Sequence, residues 1–213
     1  MTGDGDAPHG DHYFQEAPDA ATDPVDFDVV LPGAAFRLRT DRGVFSHGHL
    51  DAGTGLLLRH GHPVPPVGDL LDLGCGAGPI ALALAQRSPG ARVWAVDVNE
   101  RARSLCRANA ESAGLDNVVV AAPDGVPADV RFAAIWSNPP IRIGKRHLHD
   151  LLLRWLIRLA PDGEALLVVQ RHLGADSLAK WLRTEGYVVE RLSSKSGFRL
   201  LRTTVSQQAA TDP

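Results

Sequence analysis

Apolar positions along most of the chain fall into two alternating patterns. Short runs at Asp69–Leu73, Arg92–Val96, Asn117–Ala121, Ala133–Ser137 and Ala165–Val169 are apolar at neighbouring positions, which predicts strands covered on both faces. Between them, Pro79–Arg87, Glu100–Ala113, Arg146–Leu159 and Asp176–Glu185 repeat apolar residues at helical spacing. This alternation predicts an α/β fold with a Rossmann-like, doubly wound, mostly parallel sheet. The pattern changes at Tyr187–Ser193 and Phe198–Val205, two runs around Ser194–Gly197 that predict an antiparallel C-terminal hairpin. Upstream, Phe27–Leu31 and Ala35–Arg39 flank Pro32-Gly33 and predict a short N-terminal β extension. Leu50–His60 reads as a helix, with Ser46 or Asp51 near its start.

Composition sets the domain count. At 213 residues, 44% of them hydrophobic, the chain carries enough apolar material for one generous domain. Residues 1–24, rich in Asp, Gly, Pro and Ala, are expected to be a mostly disordered acidic tail, and residues 206–213 a second loose end. The exception in the first tail is His12-Tyr13-Phe14, whose rings are candidates to dock on the body. Residues 25–205 are then a single domain. No apolar run reaches the roughly 20 residues of a membrane span, and the acidic start lacks the core of a secretory signal. Cys75 and Cys106 are too few for a disulfide framework, so a reduced, cytoplasmic protein is expected.

Charge is distributed unevenly. Residues 1–28 hold eight acids and no Lys or Arg, which leaves 17 acids against 22 bases in the body, an excess of +5. A mildly basic body is compatible with an RNA partner. The histidine pairs His47 and His49, His60 and His62, and His147 and His149 lack Cys or carboxylate partners at ligand spacing, so no metal is expected.

The chemistry-bearing residues follow the predicted strands in order. Asp72-Leu73-Gly74-Cys75-Gly76-Ala77-Gly78 puts a glycine-rich turn between a buried strand and a helix, where backbone N–H groups approach a ligand closely. Its Gly-x-Gly-x-Gly spacing is shorter than that of dinucleotide binders. Asp97, followed by Val98, closes the next strand and is placed to accept ribose hydroxyls; Asp124-Gly125 follows the third strand, toward an adenine edge. Together these select S-adenosyl-L-methionine as cofactor. Each also has a purely structural alternative: Asp97 as a cap for the helix at Glu100, and Asp124 as a turn former. Asn138-Pro139-Pro140 comes after the fourth strand, where the reactive end of the cofactor belongs.

With these segments the sequence resembles the class I methyltransferases, and among them the small-subunit rRNA guanine-N2 (RsmC-like) group. Gly43-Val44-Phe45-Ser46, Leu50-Asp51-Ala52-Gly53-Thr54, the glycine loop and Ile135-Trp136-Ser137-Asn138-Pro139-Pro140 carry the resemblance, which runs from about His12 to Thr204. It implies rRNA as substrate and transfer to an exocyclic amino or amide nitrogen. Such a nitrogen delocalises its lone pair. The Asn138 side-chain oxygen and the Pro139 carbonyl, accepting its N–H bonds, favour tetrahedral character and aim the lone pair at the sulfonium methyl. The same resemblance places Phe45, Ser46, Asp51, Gly53 and Thr54 beside the methionine end of the cofactor and the active-site mouth, although Phe45 as core and Ser46 or Asp51 as cap read equally well.

This chain departs from the group in one position. An aromatic usually follows Asn-Pro-Pro, and here Ile141 and Arg142 stand there, as an apolar wall and a stacking or phosphate-binding guanidinium. Arg142, Lys145, Arg146 and His147 form a basic cluster facing the substrate side, or a solvated helix start. The group also commonly carries a second, N-terminal methyltransferase-like domain, and one copy fits here. A protein glutamine amide is the alternative substrate; a non-catalytic cofactor- or RNA-binding protein is the alternative class.

Overall fold

A computed structural model describes residues 22–61 and 63–206. The His12-Tyr13-Phe14 segment and the last seven residues lie outside the described residues. In chain order the elements are β1 (Val25–Leu31), β2 (Ala34–Thr40), α1 (Ala52–His60), β3 (Val67–Leu73), α2 (Pro79–Arg87), β4 (Gly90–Val96), α3 (Glu100–Ser112), β5 (Val118–Ala121), β6 (Phe132–Ser137), α4 (Lys145–Leu156), β7 (Leu159–Gln170), α5 (Ala175–Thr184), β8 (Tyr187–Lys195) and β9 (Phe198–Val205).

Seven strands form one sheet in the order β5-β4-β3-β6-β7-β9-β8. The first five are parallel, and β9 runs antiparallel to both β7 and β8. Neighbouring strand residues point to opposite faces, so a sheet covered twice needs apolar residues at consecutive positions. Leu70, Val93, Ala134 and Leu166 therefore enter the core under α1, α2 and α3. Their neighbours Leu71, Trp94, Ile135 and Leu167 enter the core under α4 and α5. Each fully buried Leu contributes about 1.5–3 kcal/mol.

Order reverses between β3 and β6. Successive strands move outward one way from β3 to β5, then resume on its other side at β6. At such a switch point the loops leaving two adjacent strands diverge and open a crevice at their C-terminal ends. The two loops here are the glycine loop after β3 and Asn138-Pro139-Pro140 after β6. Topology thus brings together segments more than sixty residues apart.

The β1–β2 hairpin stands apart as a two-stranded sheet. Two side-chain amides tie it to the body like a missing third strand. Gln86 accepts from the Ala35 N–H at 2.9 Å and donates to the Ala35 carbonyl at 3.1 Å. Asn109 does the same for Arg39, at 2.9 and 2.8 Å, and also donates to the Ala77 carbonyl inside the glycine loop at 2.9 Å. Asn109 is buried, so Asn109→Ala strands three backbone groups. The expected loss is about 2–3 kcal/mol, read as a lower urea midpoint at unchanged m-value.

One segment departs from the sequence pattern. The predicted helix over Arg146–Leu159 ends at Leu156, and β7 begins at Leu159 instead of Ala165. Leu159 pairs with Phe132 and Glu164 with Ala134, so Ala160–Gly163 bulges out of the ladder. Gly163 has no room for a side chain there: a Cβ would meet the Phe132 carbonyl at 2.6 Å.

Candidate active site

The glycine loop is built by backbone bonds to the neighbouring strand. The Val96 carbonyl accepts from both Gly74 and Cys75, at 2.8 and 3.0 Å, which bends the chain off β3 and across the end of β4. Gly74, Gly76 and Gly78 all have positive φ, at 76°, 54° and 92°. A Cβ on Gly78 would stand 2.6 Å from Cys106 Sγ, whereas one on Gly74 would meet nothing within 4 Å. The last glycine lets α3 pack against α2; the first opens the loop to a ligand.

Asp97 closes the loop from the other side. Its Oδ2 accepts from Gly76 N–H and its Oδ1 from Asn99 N–H, each at 2.9 Å, leaving a lone pair on each oxygen. Burial pushes its carboxyl above the ordinary range, and those two N–H groups and Arg103 hold it back. Val98 beside it is exposed. Asn99 caps α3 and donates to the Gly43 carbonyl at 3.0 Å, fixing the segment that carries Phe45 and Ser46.

Asp72 sits elsewhere than its neighbours. It is fully buried, and its Oδ2 accepts from Ala81 N–H in the first turn of α2 at 2.9 Å. Burial pushes its carboxyl from an ordinary 3.8 up to about 8, with the Asp97 charge adding to the effect. An acid raised on folding makes the folded state bind the extra proton, so its contribution is complete below about pH 4 and falls as pH rises toward about 8. Asp72→Asn keeps an acceptor for Ala81, and its stability is expected to fall less steeply over this window. Urea unfolding at about pH 5 and about pH 8 measures it; equal slopes in both proteins would contradict the assignment.

Asn138 is anchored by its amide nitrogen. Nδ2 donates to Asp51 Oδ2 at 2.8 Å and to Thr54 Oγ1 at 3.1 Å. The same Asp51 oxygen caps α1 by accepting from Thr54 N–H at 2.9 Å. A carboxylate only accepts, so the amide edge facing it must be the NH2, and Asn138 Oδ1 faces away from it. Sequence reasoning placed Asp51 and Thr54 at the active-site mouth by resemblance, with Asp51 as a helix cap the alternative. The spacing Asp51-x-x-Thr54 is an N-cap signature, but nothing in the sequence links it to a residue 84 positions downstream.

The glycine loop, the Asn138 turn and the start of α1 border a cleft open to solvent. Phe45, Ser46, Leu50, Asp51, Thr54, Gly74, Cys75, Gly76 and Asn138 line it, together with His49, considered in the sequence only as a metal ligand, and Leu38, Thr40 and Ile80, which sequence reasoning had not singled out. Phe45 is 53% exposed at this cleft.

Asp97, Pro139 and Pro140 lie outside that lining, as do the other predicted residues. Asp124, in a short 3-10 turn ending at Gly125, has a side chain 94% exposed and paired with Arg154 at 2.7 Å. Ile141 packs partly against the core under α4 and α5. Arg142 and Lys145 are exposed, Lys145 as the first residue of α4.

Comparison with known proteins agrees with this architecture. The family model described as the methyltransferase small domain matches residues 35–202. The chain belongs to this methyltransferase family. It is an S-adenosylmethionine-dependent enzyme. The methyltransferase is 33% identical over 195 residues to the uncharacterized protein YbxB of Bacillus subtilis, covering 90% of this chain and 97% of that one. It is 42% identical over 148 residues to the ribosomal RNA small subunit methyltransferase C of Pseudomonas aeruginosa, covering 62% of this chain and 44% of that enzyme. The chain therefore spans under half the length of that rRNA methyltransferase. The solved 16S rRNA N2 methyltransferase (RsmC) of T. thermophilus, in complex with AdoMet and guanosine, superposes with a TM-score of 0.66 at 24% identity over 89% of this chain and 52% of that one. That likeness is one of fold.

Among the described residues, no helix of the methyltransferase is long and apolar enough to cross a membrane.

Proposed function

We propose that this methyltransferase modifies an exocyclic amino nitrogen of an RNA base, with rRNA guanine N2 as the target, and that residues 25–205 carry the activity as one domain. The observation that carries the reading is the Asn138 amide, whose nitrogen is held by Asp51 and Thr54 while its oxygen is left to accept.

The residues fit the cofactor. Gly74 opens into free space, and each Asp97 oxygen keeps a lone pair for a ribose hydroxyl. Gly74, Cys75, Gly76 and Gly78 supply the loop, with Val98 beside the adenosyl group and Phe45, Ser46 and Thr54 toward the methionine end. Asp124 Oδ1 is paired with Arg154, which leaves Oδ2 as the acceptor toward an adenine edge. Asp72 serves from beneath, holding α2 to β3. Bound S-adenosylmethionine supplies an activated methyl group.

The protein's part is orientation. Asn138 Oδ1 and the Pro139 carbonyl accept the two N–H bonds of the target amine and turn its lone pair toward the methyl carbon. Pro139 and Pro140 hold the backbone in place beforehand, so little reorganisation remains at the transition state. No base is needed before transfer, because the amine becomes acidic only once methylated and cationic.

Charge supports RNA over a protein amide. Arg142, Lys145 and Arg146 are exposed directly beyond the loop, and α4 begins there without a side-chain cap. A shallow groove then runs along α4, lined by Lys145, Arg146, His149, Asp150, Leu153 and Trp181, in which His149 stacks on Trp181 at 3.5 Å. Cations and flat rings are the two features that hold a single strand. Ile141, tucked partly into the core, contributes an apolar edge rather than the ring usual at that position. The expected setting is the cytoplasm, where thiols such as Cys75 and Cys106 stay reduced.

Incubation with small ribosomal subunits and methyl-labelled cofactor tests the substrate class. Label is expected in the extracted RNA; label confined to ribosomal protein would transfer the reading to an amide substrate.

A further inference from the structure

The segment Asp51-Ala52-Gly53-Thr54 has a geometry that capping alone does not require. Asp51 Oδ2 accepts two bonds at once, from Thr54 N–H inside its own helix and from Asn138 Nδ2 across the cleft. Thr54 Oγ1 takes a second bond from Asn138, at 3.1 Å. Gly53 is what brings this helix end so close. A Cβ there would lie 2.7 Å from the Phe198 ring and 3.0 Å from Asp51 Oδ2. The helix terminus thus docks on β9 only without a side chain at residue 53, and Asp51 and Thr54 then both reach Asn138.

An unrestrained Asn side chain can turn over, exchanging its oxygen and nitrogen. With the nitrogen turned toward the cleft, the target amine would meet a donor instead of an acceptor. The reversed amide would also put its oxygen against the Asp51 carboxylate, an arrangement with no hydrogen and a repulsion between partial charges. Two acceptors on one NH2 group remove that alternative.

We propose that Asp51 and Thr54 are positioning residues of methyl transfer, locking the Asn138 amide with its oxygen toward the substrate nitrogen. This rests on the reading that Asn138 orients a nitrogen. The N-terminus of α1 is then part of the catalytic frame, although neither side chain touches the reacting atoms in this role.

Three substitutions separate positioning from structure. Serine caps helices as well as aspartate does but is too short to hold Asn138. Asp51→Ser is therefore expected to keep the melting temperature and the cofactor Kd, while kcat falls roughly 10- to 100-fold, as for a misplaced reacting group. Asp51→Asn is expected to restore kcat to within a few-fold, because one amide oxygen can take the place of Oδ2 for both donors. Thr54→Val removes one of the two acceptors and is expected to cost a smaller factor. A readout independent of turnover is the Asn138 side-chain NH2 signal in nitrogen-15 NMR, expected to be slow to exchange in the wild type and Asp51→Asn and faster in Asp51→Ser.

The proposal is overturned if Asp51→Ser turns over normally, or if its kcat falls only in step with its stability. The underlying reading fails separately, and visibly so, if Asn138→Ala remains active.

Discussion

Asn138→Ala is expected to lower the rate of methyl transfer by about 10²–10³-fold, the usual cost of removing one preorganised acceptor or donor at a developing charge. The methyl donor should still bind, because Asn138 borders the cleft from the β6 side while the glycine loop, held by Asp97 through Gly76 N–H, lines it from β3. The loss should therefore appear in kcat, with cofactor Kd within a few-fold of wild type. Asn138→Asp should be worse still. It would set a second carboxylate against Asp51, where the amide nitrogen now stands 2.8 Å away, and one of the two acids would have to take up a proton. Single-turnover kinetics with saturating cofactor, beside calorimetric titration of the cofactor alone, measure both quantities.

A second large effect separates two glycines of the same loop. Gly78→Ala places a methyl group 2.6 Å from Cys106 Sγ and 3.1 Å from Leu82 Cδ1, at a backbone φ of +92°. The buried sulfur belongs to α3 and has nowhere to go, so the expected cost is about 2–4 kcal/mol, a fall in Tm of roughly 5–15 °C. Gly74→Ala meets nothing within 4 Å and carries only the strain of φ +76°, about 1 kcal/mol. Its methyl group points into open space at the cleft, so cofactor binding should be lost from a protein that still folds. Thermal melts and cofactor titration of the two variants should therefore rank them in opposite order.

How far such effects were legible beforehand depends on the range of the interaction involved. The strands of the parallel sheet could be read because burial on both faces forces adjacent apolar pairs such as Leu70-Leu71 and Ile135-Trp136. The glycine loop and Asp97 could be read because each lies at the end of its own strand. Contacts between distant side chains could not. Nothing local marks Asn109 as the clamp on Arg39, or Gln86 as its counterpart on Ala35, since exposed helical amides look the same in sequence. The Asp51–Asn138 bond spans 87 positions and depends on α1 docking beside β9, where Gly53 meets Phe198.

Local rules also misplaced one boundary. Ala160–Gly163 contains Pro161-Asp162-Gly163, which reads as a turn closing a helix, yet Leu159 already pairs with Phe132. Phe132 and Leu159 are both buried in the core beneath α4, and that burial extends the strand past a turn sequence. The Asp124–Arg154 pair was equally beyond local rules, since it joins the turn after β5 to α4.

Mass spectrometry of nucleosides is the most direct test of the central claim, that a nitrogen of an RNA base receives the methyl group under the control of Asn138. Small-subunit rRNA treated with the wild-type enzyme and isotopically labelled cofactor should yield labelled N2-methylguanosine after digestion, and rRNA treated with Asn138→Ala should yield almost none. Label on a ribose oxygen or a base carbon, or equal labelling by the two proteins, would contradict the account.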